Sequence, residues 1–246
     1  MKILRNIFGA FWALWGLVSF SATLLVIVIP VCITYLIKEP AGTEAFRQIT
    51  KVWMRVWLTS IGSPLKTVGK ENFKKEKNYV VVCNHNSLMD VPITTPFVPG
   101  ANKTIGKKSF AKTPIFGWVY IRGTVLVDRE SEESRRKSFE DMKKTLSQGL
   151  HMVIYAEGTR NRTNDPLKSF HNGAFKLAVE TQKDIIPAVI FNTKTVLPPG
   201  STFYLWPHTL EMHFLPAISA KNITSKDLKE KVFKIMWDYY DSHRAV

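Results

Sequence analysis

The chain has 246 residues, enough for one domain of moderate size with an appendage and a sizeable core. Its formal net charge of +14 calls for anionic partners: an acidic membrane surface, phosphorylated metabolites or nucleic acid. Nucleic acid is the disfavoured choice, because there is no zinc-finger spacing, no RNP-like aromatic motif and no basic helix free of apolar residues. The two cysteines, Cys32 and Cys83, lie far apart, which argues against a disulfide framework and fits a reducing compartment.

From Ile7 to Ile37 there is no charged residue, with Lys2 and Arg5 on one flank and Lys38 on the other. The stretch exceeds the roughly 20 residues needed to cross a bilayer and is too long for the apolar part of a signal peptide. Pro30 is expected to kink or end the helix, so residues 7–29 span alone or 7–37 enter and return as a hairpin. Cations on both flanks leave the positive-inside rule undecided. Phe46, Ile49, Trp53, Val56 and Trp57 then recur at helical spacing, with Arg47, Lys51 and Arg55 on another face. That pattern suits a helix at a lipid interface, or one packed on the domain.

After residue 62 the composition becomes that of an α/β domain. Gly62–Lys77 reads as a link between anchor and domain. Apolar, β-rich runs follow at 79–83, 123–127, 151–155, 185–191 and 209–214, with a weaker one near 103–106. Helical patterns lie between them at 88–96, 132–149, 170–181 and 225–242, the last opened by the capping box Thr224-x-x-Asp227. The expected fold is α/β: a largely parallel sheet flanked by helices, preceded by an N-terminal membrane-associated helical segment. Residues 1–61 form the anchor and interfacial helix, and 62–246 the catalytic domain.

The apolar run Tyr79–Cys83 leads into Asn84-His85-Asn86-Ser87-Leu88-Met89-Asp90. His85 is the one kind of side chain whose unperturbed pKa lies near neutrality, so it can take a proton from an alcohol. Asp90, bonded to its other nitrogen, would fix the tautomer and stabilise the imidazolium. Ser87-x-x-Asp90 also matches a helix start, with Ser87 as N-cap, and the two readings are compatible. Further on, Asp128-Arg129 and Glu157-Gly158-Thr159-Arg160 end two strands, and Ile186-Pro187-Ala188-Val189 lies in a third. Ligands of open α/β sheets bind where strands end, and arginine there suits a phosphate through its planar fork of donors.

Together these segments resemble the glycerolipid acyltransferase family, of the 1-acylglycerol-3-phosphate acyltransferase type. The likeness covers roughly residues 60–215 and all four motif blocks in order: Asn84-His85-x-Ser87-x-x-Asp90, Gly123 to Arg129, Glu157-Gly158-Thr159-Arg160 and Ile186 to Val189. Tyr155-Ala156 stands where Phe-Pro is usual, and Val127 where Ile often precedes Asp-Arg; both changes are mild.

The resemblance implies a catalytic pair His85 and Asp90 that deprotonates the sn-2 hydroxyl of a lysophosphatidic acid for attack on acyl-CoA or acyl-carrier protein. It implies that Arg129 and Arg160 hold the acceptor's phosphate, that Glu157, Gly158 and Thr159 shape that pocket, and that Pro187 shapes the acyl-donor side. Lys107 is a further candidate phosphate contact, with a solvated lysine beside Lys108 as the plain alternative. No cofactor beyond the thioester co-substrate and no metal site is expected. The partners are the membrane lipid, the acyl donor and an anionic membrane surface, with the domain at the membrane and facing the cytoplasm, where Asn102, Asn161 and Asn222 would head chance glycosylation-like triplets. Rivals within the class are glycerol-3-phosphate or another lyso-lipid as acceptor. Two others differ in kind: Cys83 as a covalent nucleophile, and a non-catalytic binder of anionic lipid.

Overall fold

The computed structural model describes residues 2–128, 130–201 and 203–243. Two long helices come first, α1 (Lys2–Ile33) and α2 (Ala41–Ser60). The α/β part then runs β1 (Leu65–Val68), β2 (Val80–Cys83), α3 (Asp90–Thr94), β3 (Asn102–Lys107), α4 (Phe116–Arg122), β4 (Thr124–Val127) and α5 (Glu132–Ser147). It closes with β5 (His151–Tyr155), α6 (Gly173–Thr181), β6 (Ile185–Phe191), α7 (Thr193–Val196), β7 (Leu210–Phe214) and α8 (Ser225–His243).

The seven strands form one sheet in the order β1-β7-β6-β2-β5-β3-β4. From β6 to β4 every neighbouring pair is parallel; β7 is antiparallel to β6, and β1 is parallel to β7. The sheet is therefore largely parallel, as the alternation of apolar runs and helices predicts. β2, β5 and β6 are buried on both faces, which is why they read as unbroken apolar runs. Val81, Cys83, Val153, Tyr155, Ala188 and Ile190 look towards α1 and α2. Val80, Val82, Met152, Ile154, Val189 and Phe191 look towards α5, α6 and α8. All five parallel strands end on one edge, and the loops there carry the residues of interest.

The segment expected to be a link contains β1. Leu65–Val68 pairs in parallel with Leu210–His213, and it was hidden because an edge strand of four residues with Lys66 in it carries little apolar signal. The helix expected over 88–96 is shorter, Asp90–Thr94, and α4 and α7 were not anticipated.

The N-terminal segment is one helix that passes Pro30 and ends at Ile33 in a 3-10 turn, Thr34–Leu36, rather than a hairpin within 7–37. One face of α1 packs on α2: Trp57 Nε1 donates to Gly16 O at 3.0 Å, Trp53 Nε1 to Thr23 Oγ1 at 2.8 Å, and Trp12 Nε1 to Ile61 O at 2.9 Å. The other face is open and apolar, including Ile7, Phe11, Leu14, Val18, Val26 and Ile29. In α2 the tryptophan-bearing stripe is interior: Phe46, Trp53 and Trp57 are buried, and Val56 faces out. Of the two readings of that helix, packing on the domain describes these aromatics. Arg47, assigned from spacing to the polar face, is buried too, where Nε donates to Glu44 Oε2 at 2.8 Å.

Candidate active site

β2 stops at Cys83, and Asn84 carries its ladder one step further with a side-chain amide. Asn84 Oδ1 accepts from Ile190 N at 2.7 Å and Nδ2 donates to Ile190 O at 2.9 Å, so the turn after β2 is fastened to β6. The chain then folds so that Asp90, at the first position of α3, reaches back over it. One oxygen, Oδ2, accepts from Asn86 N at 2.6 Å and Ser87 N at 2.8 Å, and lies 2.8 Å from His85 Nδ1. The bond to Ser87 N has the spacing of a capping box's return half, although α3 itself starts at Asp90. Ser87 itself does not cap as the motif suggests: Oγ accepts from Met89 N at 3.1 Å and donates to Leu197 O at 2.6 Å.

Asp90 is wholly buried, while His85 keeps about a seventh of its side chain exposed. Oδ2 already accepts from two backbone amides and accepts from Nδ1 as well, which puts the proton on Nδ1 and the lone pair on Nε2. The imidazole lies against the Tyr155 ring, centroids 4.3 Å apart and planes 25° from parallel. Tyr155 Oη is within 2.8 Å of Thr94 Oγ1, which holds the ring in place. The ring is thus held in one orientation by Asp90 and Tyr155.

The loop after β5 braces the same turn. Glu157 is buried; Oε1 accepts from His85 N at 2.8 Å and Oε2 from Lys168 N at 2.9 Å. Burial raises its pKa, while those two amides and the neighbouring His85 oppose the rise. Glu157 therefore supports the backbone of His85, a role that its place in a pocket-shaping motif does not reveal. Asn161 N donates to His85 O at 2.6 Å, adding a second tie. Gly158 sits at φ +67°, and a Cβ there would meet the His171 ring at 2.5 Å, so glycine is required at this turn. Thr159 is exposed and Arg160 half-buried on the edge beyond β5.

Lys107 ends β3 on the same edge, with its side chain exposed. Arg129 lies outside the described residues; Asp128, before it, follows β4 on that edge. The sheet order places the ends of β2, β5, β3 and β4 side by side, so His85, Arg160, Lys107 and Asp128 follow one another along the rim. Pro187 is elsewhere. It is buried within β6, level with Val82, and by alternation faces α6 and α8 rather than α1 and α2.

Next to the base on the α1/α2 side is an apolar cavity of about 330 Å³. Leu88, Val91, Phe46, Trp53, Ile105 and Tyr155 are among its walls, and Tyr155 is shared with the His85 stack. Lys194, on α7, was not anticipated. Nζ donates to Thr163 O at 2.9 Å, and burial lowers its pKa against the opposing charges of Glu157, Asp90 and Asp165. The only sequence cue was a lysine just past a strand on the ligand edge. Cys83 is fully buried within β2, and burial, aided by the charge of Asp90, pushes its thiol far above the ordinary range. A thiolate nucleophile is disfavoured there. Among the described residues no group of three His, Cys, Asp or Glu side chains is placed to hold a metal ion.

A three-layer α/β protein with a carboxylate-oriented histidine on its strand-end rim, beside an apolar cavity, has the parts for base-assisted transfer to an alcohol. Residues 64–191 match the family model described as Acyltransferase, and the chain belongs to that family. It is 29% identical over 192 residues to the 1-acyl-sn-glycerol-3-phosphate acyltransferase of Saccharomyces cerevisiae, covering 76% of this chain and 62% of that protein. Likeness to the enzyme of the same name from Borreliella burgdorferi is 29% over 183 residues, 69% of this chain and 70% of that one. With 1-acyl-sn-glycerol-3-phosphate acyltransferase alpha of Mus musculus it is 27% over 169 residues, 68% and 59%. The chain spans about three-fifths of the length of the yeast and mouse relatives. The crystal structure of the 1-acyl-sn-glycerophosphate (LPA) acyltransferase, PlsC, from Thermotoga maritima has the same fold, with a TM-score of 0.80 over 100% of both chains at 21% identity.

Proposed function

We propose that this chain transfers a fatty acyl group from a thioester, acyl-CoA or acyl-carrier protein, to the sn-2 hydroxyl of 1-acylglycerol-3-phosphate, giving phosphatidic acid. The observation that carries this reading is the 2.8 Å contact of His85 Nδ1 with the buried Asp90, which leaves Nε2 to act as base. Nε2 takes the hydroxyl proton as the alcohol oxygen adds to the thioester carbonyl. The tetrahedral oxyanion then collapses, the C–S bond breaks, and the departing sulfur takes the proton from His85. No metal or further cofactor enters this scheme.

Arg160 and Lys107 on the rim, together with Arg129, are assigned to the acceptor's phosphate. The relatives' names and the cationic rim support that assignment. The apolar cavity beside Tyr155 is assigned to an acyl chain. A 16-carbon chain is held in a bilayer by about 10 kcal/mol, so the reaction belongs at the interface. The helical segment Ile3–Leu36, which is α1 with its closing 3-10 turn, is long and apolar enough to cross a membrane. Because one face is packed along α2, we assign α1 to lie in the interface with its open face in the hydrocarbon and the sheet edge towards the headgroups.

The test is acyl transfer by the full chain in liposomes, given long-chain acyl-CoA with either lysophosphatidic acid or glycerol-3-phosphate. Phosphatidic acid formed from the lyso-lipid is expected, falling about 10²–10⁴-fold in His85→Ala and Asp90→Asn. Product from glycerol-3-phosphate alone would change the acceptor, and turnover undiminished in His85→Ala would overturn the mechanism.

A further inference from the structure

At the β3–β4 end of the sheet, a cleft of about 730 Å³ opens among β3, β4, α4, α5 and the turn joining α1 to α2. Five lysines line it, Lys38, Lys103, Lys108, Lys137 and Lys144, against two acids, Glu39 and Asp141. Glu39 is already engaged by Arg122 Nη1 at 2.8 Å, with Lys103 at 3.9 Å. α5 contributes one face, since Lys137, Asp141, Lys144 and Gln148 follow helical spacing. Its Lys143 is turned to α6, where Nζ lies 2.7 Å from Glu180. Lys38, Lys108, Lys137 and Lys144 have no ion pair among the described residues. Burial lowers the pKa of Lys103, opposed by Glu39 and Asp141 and aided by Arg122 and Lys144. Cations gathered in this way are relieved when an anion enters.

The cleft has a fixed floor and an apolar neighbour. Arg122, almost wholly buried, donates to Thr34 Oγ1 at 3.1 Å and Thr43 Oγ1 at 2.9 Å, joining the ends of α1, α2 and α4. Tyr35 lines the cleft, and its hydroxyl donates to Trp118 O at 2.8 Å. Trp118 in turn lines an apolar groove of about 350 Å³ with Val28, Ile29, Cys32, Ile33 and Leu36 of the α1 segment. Leu36 is 85% exposed and Trp118 57%, so this groove is unpartnered within the chain.

We propose that cleft and groove together hold one anionic glycerophospholipid of the membrane, its phosphate among the lysines and an acyl chain along Val28–Leu36. A soluble phosphate matches only the cationic half; an anionic lipid matches both halves, and they meet where α1 ends. The site includes neither His85 nor Asp90. The strands that line it, β3 through Lys103 and β4 through Thr124–Leu126, lie two and three strand spacings from β2, about 10 and 14 Å. The lipid need not be a substrate, so this assignment stands apart from the acyl-transfer reading.

Native mass spectrometry of the full chain in neutral detergent tests it, with phosphatidylglycerol, phosphatidylcholine and inorganic phosphate as probes. One retained phosphatidylglycerol per chain is expected, bound more tightly than phosphatidylcholine. Lys137→Gln/Lys144→Gln should weaken it about fivefold per lysine. The same double change on α8, Lys226→Gln/Lys229→Gln, should leave it intact, as should His85→Ala. Three results would overturn the proposal: equal retention in the Lys137/Lys144 variant, loss of the lipid in His85→Ala, or displacement by inorganic phosphate at concentrations comparable to the lipid's.

Discussion

Glu157 carries the backbone N–H of His85 on one carboxylate oxygen, at 2.8 Å, across 72 residues of sequence. Its second oxygen holds Lys168 N at 2.9 Å, so one buried side chain ties the turn after β2 to the loop after β5. The His85 imidazole is therefore located from two directions. Asp90 orients the ring, and Glu157 fixes the main chain from which the ring hangs.

Glu157→Gln is the most direct probe of that tie. The amide keeps one acceptor and turns an N–H₂ towards a backbone N–H, leaving a buried donor unpaired. Hydrogen bonds to charged groups contribute about 1.5–3 kcal/mol, so a stability loss of about 2 kcal/mol is expected. Activity should fall through kcat, with the KM for the acceptor nearly unchanged. A rise in acceptor KM at constant kcat would instead make Glu157 a substrate contact.

What could be read from the chain depended on how locally each feature is encoded. β2, β5 and β6 were legible because burial on both faces leaves nothing but apolar residues in them. β1 was not, since Leu65-Lys66-Thr67-Val68 gains its meaning only from pairing with β7. His85 and Asp90 were legible because both partners fall within six residues. Lys194 and the bracing role of Glu157 depend on which loops meet above the sheet, and no spacing encodes that. The cavity draws its walls from α1, α2, α3, β3, α4 and β5, too dispersed for any motif. Pro187 shows the same effect in reverse: its block was recognisable, but the face it occupies is set by strand register.

Cys83 offers a clean separation of direct from covalent transfer. It is two residues from His85, yet its side chain is buried on the α1/α2 face of the sheet, flanked by Tyr155 of β5 and Ala188 of β6. Cys83→Ala should retain turnover close to that of the parent and lose about 1 kcal/mol of stability to the small void. Loss of acyl transfer in a variant that still folds would revive the covalent mechanism.

The apolar cavity makes a prediction about chain length. Ile105 lines it from β3, and Ile105→Trp would fill part of its volume. Transfer of the longest chains should then fall while shorter ones continue, by roughly tenfold for every two methylenes excluded at about 0.8 kcal/mol each. A uniform loss across a series of acyl-CoA lengths would place the acyl chain elsewhere.

His151 predicts how the fold responds to acid. Its Nδ1 accepts from Tyr79 N at 3.0 Å, which requires a neutral ring, and burial lowers its pKa to about 4. The unfolded chain binds this proton below about pH 6.5 and the folded chain does not, so stability falls as pH drops from 6.5 towards 4. The full effect is roughly 3 kcal/mol, and none of it is present above pH 7. Denaturant midpoints measured in detergent from about pH 7.5 to about pH 4.5 should show the decline. His151→Gln, which keeps an acceptor for Tyr79 N and does not titrate, should be less stable at neutral pH but show a shallower decline. An unchanged slope in that variant would assign the acid sensitivity to other groups.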